Sequence, residues 1–147
     1  MSDDEKVAKD LVETLKDGER GFRTAAEKVQ DGDRPEWATT LRRLSEQRAE
    51  FRREIVGLGH VYGDDVDESA SAAGALHRAW IGLKDAVTGD DAGSVLGAAV
   101  TGEDHAVSEY EKALEKDLSP GFRDVVSRQH AAVVAARNEV KALQTAD

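Results

Sequence analysis

Hydrophobic residues recur at spacings of three and four in four long segments of the chain. The apolar positions run over residues 11–29, 37–58, 96–114 and 122–143. The positions between them carry mostly lysine, arginine, glutamate and aspartate, so each segment has a single apolar stripe, which is typical of an amphipathic helix. No stretch of useful length alternates as a strand would. The pattern therefore predicts an all-α fold.

Turn residues mark the limits of these helices. Asp31-Gly32-Asp33 follows the first stripe, and Asp33 with Glu36 fits a capping box that has Pro35 in the first turn of the next helix. Ser119-Pro120 begins the last helix with a cap residue followed by proline at the first helical position. Because both turns are short, each predicts an antiparallel hairpin.

A fifth helical stretch lies between the two hairpins, from Ala72 to Val87, and ends at Thr88-Gly89-Asp90. A helix of about 18–20 residues rises about 27–30 Å, most of the length of a bundle. We expect it to cross from one end of the bundle to the other, which is the ferritin-like arrangement of two hairpins. The alternative is a five-helix up-down bundle with this helix in the core. The crossover is favoured because the stretch is short and rich in alanine. The prediction is a single ferritin-like domain over residues 1–147, with helices near 4–31, 34–61, 69–88 (the crossover), 91–117 and 120–145.

Composition and charge exclude several classes of fold and function. The chain has 147 residues, of which 34% are charged and 5% aromatic, and this favours a helical bundle over a β-sandwich. Its formal charge of −10 argues against a nucleic-acid partner, and the lack of cysteine excludes disulfides, thiolate metal sites and a cysteine nucleophile. Apolar runs are too short for a bilayer and the acidic N-terminus does not resemble a secretory signal, so we expect a cytoplasmic protein without a membrane partner. No hydrolytic or phosphate-binding motif is present, so an enzyme is not expected.

Two short matches relate the hairpins to each other. Gly18-Glu19 matches Gly102-Glu103, and residues 45–49 match residues 127–131, which aligns Gln47 with Gln129. Each interior glycine costs about 1 kcal/mol against alanine, which favours close helix packing or room beside the carboxylate; the alternative is neutral drift near a helix bend. Counting from each turn places Glu19 level with Gln47 and Glu103 level with Gln129, so we expect the four polar groups to meet in the middle of the core. A carboxylate there is costly unless it is paired, hydrogen-bonded, protonated or bound to a cation.

The segments 11–22, 47–51, 74–80 and 102–107 resemble a family of bacterial ferritin-like four-helix-bundle proteins, largely of uncharacterised function. The resemblance covers the chain from about Val7 to Leu143. It implies a bundle with a crossover, a degenerate relative of ferritin and rubrerythrin-type bundles. The expected function is a non-catalytic bundle in a stress-related or storage-related setting.

Ferritin-like di-iron proteins place a glutamate on each of two helices and Glu-x-x-His on each of the other two. Glu19 and Glu103 match the lone glutamates, but Gln47 and Gln129 stand where Glu-x-x-His would begin. Carboxamides are weaker ligands for Fe or Mn, so a conventional di-iron centre is not expected. Two interpretations remain: a hydrogen-bonded Glu/Gln cluster, or a weaker Fe or Mn site of oxygen ligands. The candidate ligands are Glu19, Gln47, Glu50, Glu103, Gln129 and His130.

Two further functions compete with the non-catalytic bundle. One is a metal-dependent redox or storage protein that uses Glu19, Glu50 and Glu103. The other is a homo-oligomeric assembly module, such as a dimer, for which Arg48 in the second apolar stripe indicates a partner surface. His77 is expected to fasten the crossover helix to the bundle rather than to bind metal, and Trp80 is expected to be a core or hairpin-packing residue.

Overall fold

The computed structural model describes residues 3–31, 34–58 and 92–145. Within these ranges all regular structure is helical and no strand occurs, which confirms the all-α prediction. The helices are α1 (Asp4–Gln30), α2 (Trp37–Leu58), α3 (Ala92–Leu114) and α4 (Pro120–Thr145). Searched over the same ranges, no helix combines the length and apolarity needed to cross a membrane. The predicted crossover helix over 69–88, with His77 and Trp80, lies outside the described residues.

The helix α2 begins at Trp37, three residues later than the sequence pattern predicts. The Trp37 N–H donates to the Arg34 carbonyl and the Ala38 N–H to the Pro35 carbonyl, each at 3.1 Å. These hydrogen bonds close 3₁₀-type turns, which are tighter than α-helical turns and precede the first regular turn of α2. The Arg34 guanidinium lies 5.1 Å from the centre of the Trp37 ring, so a cation–π contact joins Arg34 to the first residue of α2.

The turn between α3 and α4 is closed by hydrogen bonds from both sides. α3 ends at Leu114 rather than near residue 117, because the Glu115 and Lys116 N–H groups donate to carbonyls three residues back. Arg123 on α4 donates to the carbonyls of Leu114 and Lys116 at 2.9 and 2.7 Å. Its guanidinium therefore satisfies acceptors that the end of a helix leaves unpaired.

The start of α1 is bound to the start of α4, which begins at Pro120 as predicted. The carboxylate of Asp4, only 2% exposed, accepts the Ser119 N–H at 2.9 Å and the Ser119 hydroxyl at 2.5 Å. Asp3 and Asp117 add two further hydrogen bonds beside it. The first turn of α1 is therefore hydrogen-bonded to the turn between α3 and α4.

The core consists of two clusters of buried side chains along the helix axes. The first joins the end of α1, the beginning of α2, the beginning of α3 and the end of α4, and includes Phe22, Leu41, Leu96 and Val140. The second joins the opposite halves of the same helices and includes Leu15, Ile55, Tyr110 and Val126. α1 therefore runs antiparallel to both α2 and α3. α2 ends in the second cluster, whereas α3 begins in the first.

A buried ion pair and its polar neighbours as the candidate functional site

Arg48 and Glu103 form an ion pair in the interior of the protein. Arg48 comes from α2 and is 1% exposed, and Glu103 comes from α3 and is fully buried. The Arg48 Nη1 donates to Glu103 Oε1 at 2.5 Å, and Nη2 donates to Oε2 at 2.7 Å. This bidentate arrangement of two planar groups is the strongest geometry available to an arginine and a carboxylate. Such geometry is needed because both charges lose their hydration on burial.

Three other residues that the structure describes lie around the Arg48 side chain. Its Nε donates to the Gln47 Oε1 at 3.2 Å, and its Cζ lies 5.1 Å from the centre of the Phe22 ring. Gly18 on α1 faces the same side chain, where a Cβ would lie 3.5 Å from Arg48 Cγ and Nη1. The absence of a side chain at Gly18 leaves the arginine space between α1 and α3. The prediction that Arg48 marks an exposed partner surface is wrong, because the residue faces the core.

A second set of polar contacts extends from the core to the surface. The Tyr110 hydroxyl donates to Gln129 Oε1 at 2.7 Å, and both residues are fully buried. The Gln129 amide then donates to Glu54 Oε1 at 2.8 Å, while Glu54 Oε2 accepts a hydrogen bond from Arg128. These contacts link α3, α4 and α2, and they satisfy both ends of the buried carboxamide.

The environment shifts the pKa of several groups in this second set. Burial is the main cause that raises the pKa of the Tyr110 hydroxyl well above its ordinary value, because the phenolate would lose its hydration. At Glu54, burial acts to raise the pKa, but hydrogen bonds from Arg128 and Gln129 and the charge of Arg128 together bring it below the ordinary value. The hydrogen bond and charge of Glu54 in turn raise the pKa of Arg128.

The sequence predicts that Glu103 and Gln129 are buried at the same height along the bundle, and the structure confirms only the burial. Both are buried, as their positions in the apolar stripes predict. The predicted level is wrong: Gln129 contacts Tyr110, two turns or about 10 Å along α3 from Glu103. The neighbouring Asp104 pairs instead with Arg137 at 3.5 Å, so the register of the α3–α4 hairpin places Glu103 nearer the C-terminal half of α4.

The other predicted ligands lie in different surroundings. The Glu19 side chain is 20% exposed, and its Oε1 lies 3.5 Å from Arg52 Nη2. Glu50 is exposed. His130 is half-buried, with its Nε2 3.9 Å from a carboxylate oxygen of Glu111. Among the contacts between described residues, only Glu103 and Gln47 of the six candidates share a partner, and that partner is Arg48.

The donor set can be compared with the needs of a metal ion. Among residues 3–31, 34–58 and 92–145, no group of three or more histidine, aspartate or glutamate side chains is arranged to hold a metal. Both oxygens of Glu103 already accept hydrogen bonds from Arg48, so a metal at this carboxylate would have to lie against the positive guanidinium or displace it. The six-residue ligand set with Fe or Mn stays a prediction from the sequence.

Sequence reasoning missed Arg48 as a functional partner of Glu103. The signal was present, because residues of opposite charge occupy the apolar stripes of two helices. It also missed Tyr110 and Glu54, which bind the two ends of Gln129. A hydroxyl-bearing aromatic in the stripe of α3 was the available indication for Tyr110, since a buried tyrosine hydroxyl needs a partner.

Comparison with known proteins gives a family and no named relative. No curated protein matches the chain. The family model described as a domain of unknown function, DUF2383, matches residues 5–116. That range includes α1 except its first residue, all of α2 and α3, and both members of the buried ion pair, whereas α4 lies beyond it. Since the match spans well over half of the chain, this protein belongs to the DUF2383 family.

Proposed function

We propose that this protein is a non-catalytic, ferritin-like four-helix bundle in which the Arg48–Glu103 ion pair takes the place of a metal centre. The observation that carries the proposal is the bidentate contact, which occupies both oxygens of the one fully buried glutamate that the structure describes. The biological role would then be exercised through the surface of a stable scaffold, in a stress-related or storage-related setting.

The connectivity supports the ferritin-like part of this proposal. α2 ends in the second core cluster, and α3 begins in the first cluster at the other end of the core. Residues 59–91 therefore connect opposite ends of the four helices. Ferritin-like folds join two antiparallel hairpins by one long crossover, whereas up-down bundles use short loops.

The chemistry of Glu103 supports the non-catalytic part. In di-iron bundles, cations compensate the inward-facing glutamates. Here a guanidinium supplies the positive charge. Separating a buried pair of this kind costs about 3–5 kcal/mol, because it leaves an uncompensated charge in the core. A metal ion that displaced the guanidinium would have to repay that cost before it gained any affinity.

Metal content after loading tests the proposal against the Fe- or Mn-binding alternative. The purified protein is loaded anaerobically with Fe(II) or Mn(II), desalted and analysed for metal per chain, in parallel with Glu103→Gln. Glu115→Gln is a matched control, because Glu115 is exposed in the turn after α3. We expect the same background metal in all three proteins. Near-stoichiometric metal in the wild type and in Glu115→Gln that is lost in Glu103→Gln, with helical content unchanged, would overturn the proposal.

A further inference from the structure

The outer side of the first hairpin carries a groove of about 590 Å³ between α1 and α2, within the size range of small-molecule sites. Its floor contains Ser45 and Ala49, two small buried residues that leave space between the helices. The charged residues that line the groove are exposed, except for the partly buried Glu19: Glu19, Arg23 and Glu27 from α1, and Arg42, Glu46 and Arg53 from α2. Groups of both signs therefore border the groove.

The register of the two helices brings like charges opposite each other. The Ser45 hydroxyl donates to the Glu19 carbonyl at 2.8 Å, and α1 and α2 run antiparallel. This contact places Glu19 level with Glu46, and it places Arg23, one turn further along α1, level with Arg42. Two carboxylates therefore lie across the groove at one level, and two guanidiniums lie across it at the next.

These charges are only partly compensated by neighbouring side chains. Within the part of the chain that the structure describes, Arg23, Arg42 and Glu46 form no ion pair. Glu19 pairs with Arg52 at 3.5 Å. Like charges held level on packed helices, whose axes are about 8–10 Å apart, favour an opposite charge between them. The groove therefore attracts a cation at the level of Glu19 and an anion at the level of Arg23.

We propose that this groove binds a small zwitterion, with its ammonium group between Glu19 and Glu46 and its carboxylate between Arg23 and Arg42. A carboxylate accepts paired hydrogen bonds from a guanidinium. An ammonium group has three donors, which match the two glutamates and the oxygen of Ser45. The Ser45 hydroxyl hydrogen is used on the Glu19 carbonyl, but its oxygen can still accept a hydrogen bond.

The spacing of the two levels sets the length of the ligand. The levels are four residues apart along each helix and therefore about 6 Å apart. An extended 5-aminopentanoate separates its nitrogen from its carboxylate carbon by about 6 Å, whereas glycine spans only about 2.5 Å and reaches one level at a time. Glu27 lies one turn beyond Arg23, and Arg53 lies two turns beyond Glu46. A much longer zwitterion would bring each of its ends towards a like charge.

Titration of the intact protein, followed by its amide chemical shifts, tests the site. The probes are 5-aminopentanoate, the short zwitterion glycine, and pentanoate and pentylamine, each of which carries only one of the two charges. Arg42→Gln removes one charge of the anion level, and Glu46→Gln removes one charge of the cation level. Lys141→Gln is the control, because Lys141 is exposed on α4, away from the groove. Circular dichroism checks that the helical content of each variant is unchanged.

We expect 5-aminopentanoate to bind in the millimolar range, about fivefold or more tightly than each other probe, with shifts centred on residues 19–23 and 42–46. Arg42→Gln should lose the advantage of 5-aminopentanoate over pentylamine, and Glu46→Gln should lose its advantage over pentanoate. Lys141→Gln should keep both.

Three results would each overturn the proposal: no binding of 5-aminopentanoate by the wild type, equal binding of the four probes, or shifts centred outside the groove. A groove variant that keeps the full advantage would do so as well. The site uses neither Arg48 nor Glu103, so its failure would leave the proposed function intact, and metal loading tests that function separately.

Discussion

Gly18 on α1 lies directly against the side chain of Arg48 on α2. A Cβ built on Gly18 would be 3.5 Å from both Cγ and Nη1 of the arginine, an ordinary van der Waals distance. Gly18 therefore leaves room for the buried Arg48 side chain, but alanine would also fit at this position. One methyl group can be added at this position, but a branched side chain would push against the guanidinium.

Gly18→Ala should raise the free energy of unfolding by up to about 1 kcal/mol, because alanine favours the helix and its methyl meets no clash. Gly18→Val should lower it, since the branches displace Arg48 from its contact with Glu103. Urea unfolding measures both. Gly57→Ala, where no atom of the described residues lies within 4 Å of the new Cβ, gives the gain from helix propensity alone. A loss of more than 1 kcal/mol in Gly18→Ala would show that the helices approach more closely than described.

Tyr110→Phe should destabilise the protein by about 1–3 kcal/mol at neutral pH, because the buried Gln129 Oε1 loses its donor. The effect should also depend on pH. The pKa of the Tyr110 hydroxyl is raised in the folded state, so above pH 10 the unfolded chain releases a proton that the folded chain retains. The stability of the wild type relative to Tyr110→Phe should therefore fall as the pH rises above 10.

Absorbance of tyrosinate during a pH titration checks this behaviour. The chain has two tyrosines, so the difference between wild type and Tyr110→Phe isolates the signal of Tyr110. We expect that signal to appear only well above pH 10 or together with unfolding. Ionisation of Tyr110 near pH 10 in the folded protein would contradict its burial against Gln129.

Glu54 should stabilise the protein at neutral pH and lose this contribution in acid. Its pKa is below the ordinary value in the folded state, so the stabilisation is present above about pH 4.5 and disappears as the pH falls through the folded pKa. The difference in unfolding free energy between wild type and Glu54→Gln should therefore shrink between pH 7 and pH 3. Glu139→Gln, in the exposed pair with Arg43, should show a smaller difference at pH 7. A Glu54 difference that is constant with pH would contradict the lowered pKa.

Asp4→Ala should destabilise the protein by about 1–3 kcal/mol, because it leaves the Ser119 N–H and hydroxyl without their acceptor in a mostly buried site. Asp4→Asn should recover part of the loss, since its carbonyl oxygen still accepts one hydrogen bond. Thermal unfolding of both variants measures the difference, with Glu5→Ala in the exposed first turn as the control. Equal stability of Asp4→Ala and Glu5→Ala would show that the start of α1 does not hold the second hairpin.

The positions of the helices were predicted well, because burial of one helix face spaces apolar residues three and four apart along the sequence. The apolar stripes located the four described helices, and the Ser119-Pro120 pair marked the first residue of α4. The start of α2 was placed three residues early, because the capping-box pattern does not distinguish a regular helical turn from the tighter turns around Pro35. Local patterns thus give the elements and leave their ends less certain.

The sequence predicted which polar residues are buried in the core, but it did not predict which residues they bind. The stripes correctly indicated that Glu103 and Gln129 are buried, because only a core-facing position continues the apolar spacing. Their partners depend on the relative rotation and register of different helices, which spacing along one helix does not contain. Arg48 was therefore taken for surface, although it is the counterion of Glu103.

A double-mutant cycle on Arg48 and Glu103 tests the central claim most directly. Unfolding free energies are measured in urea for wild type, Arg48→Met, Glu103→Leu and the double variant, beside the same cycle on the exposed pair Arg43 and Glu139. Each single substitution in the core should cost about 3–5 kcal/mol, since it leaves one buried charge unpaired. The double variant should recover most of this loss, whereas the coupling of the exposed pair should stay within about 1 kcal/mol. Additive losses at Arg48 and Glu103, with no coupling between them, would contradict the account.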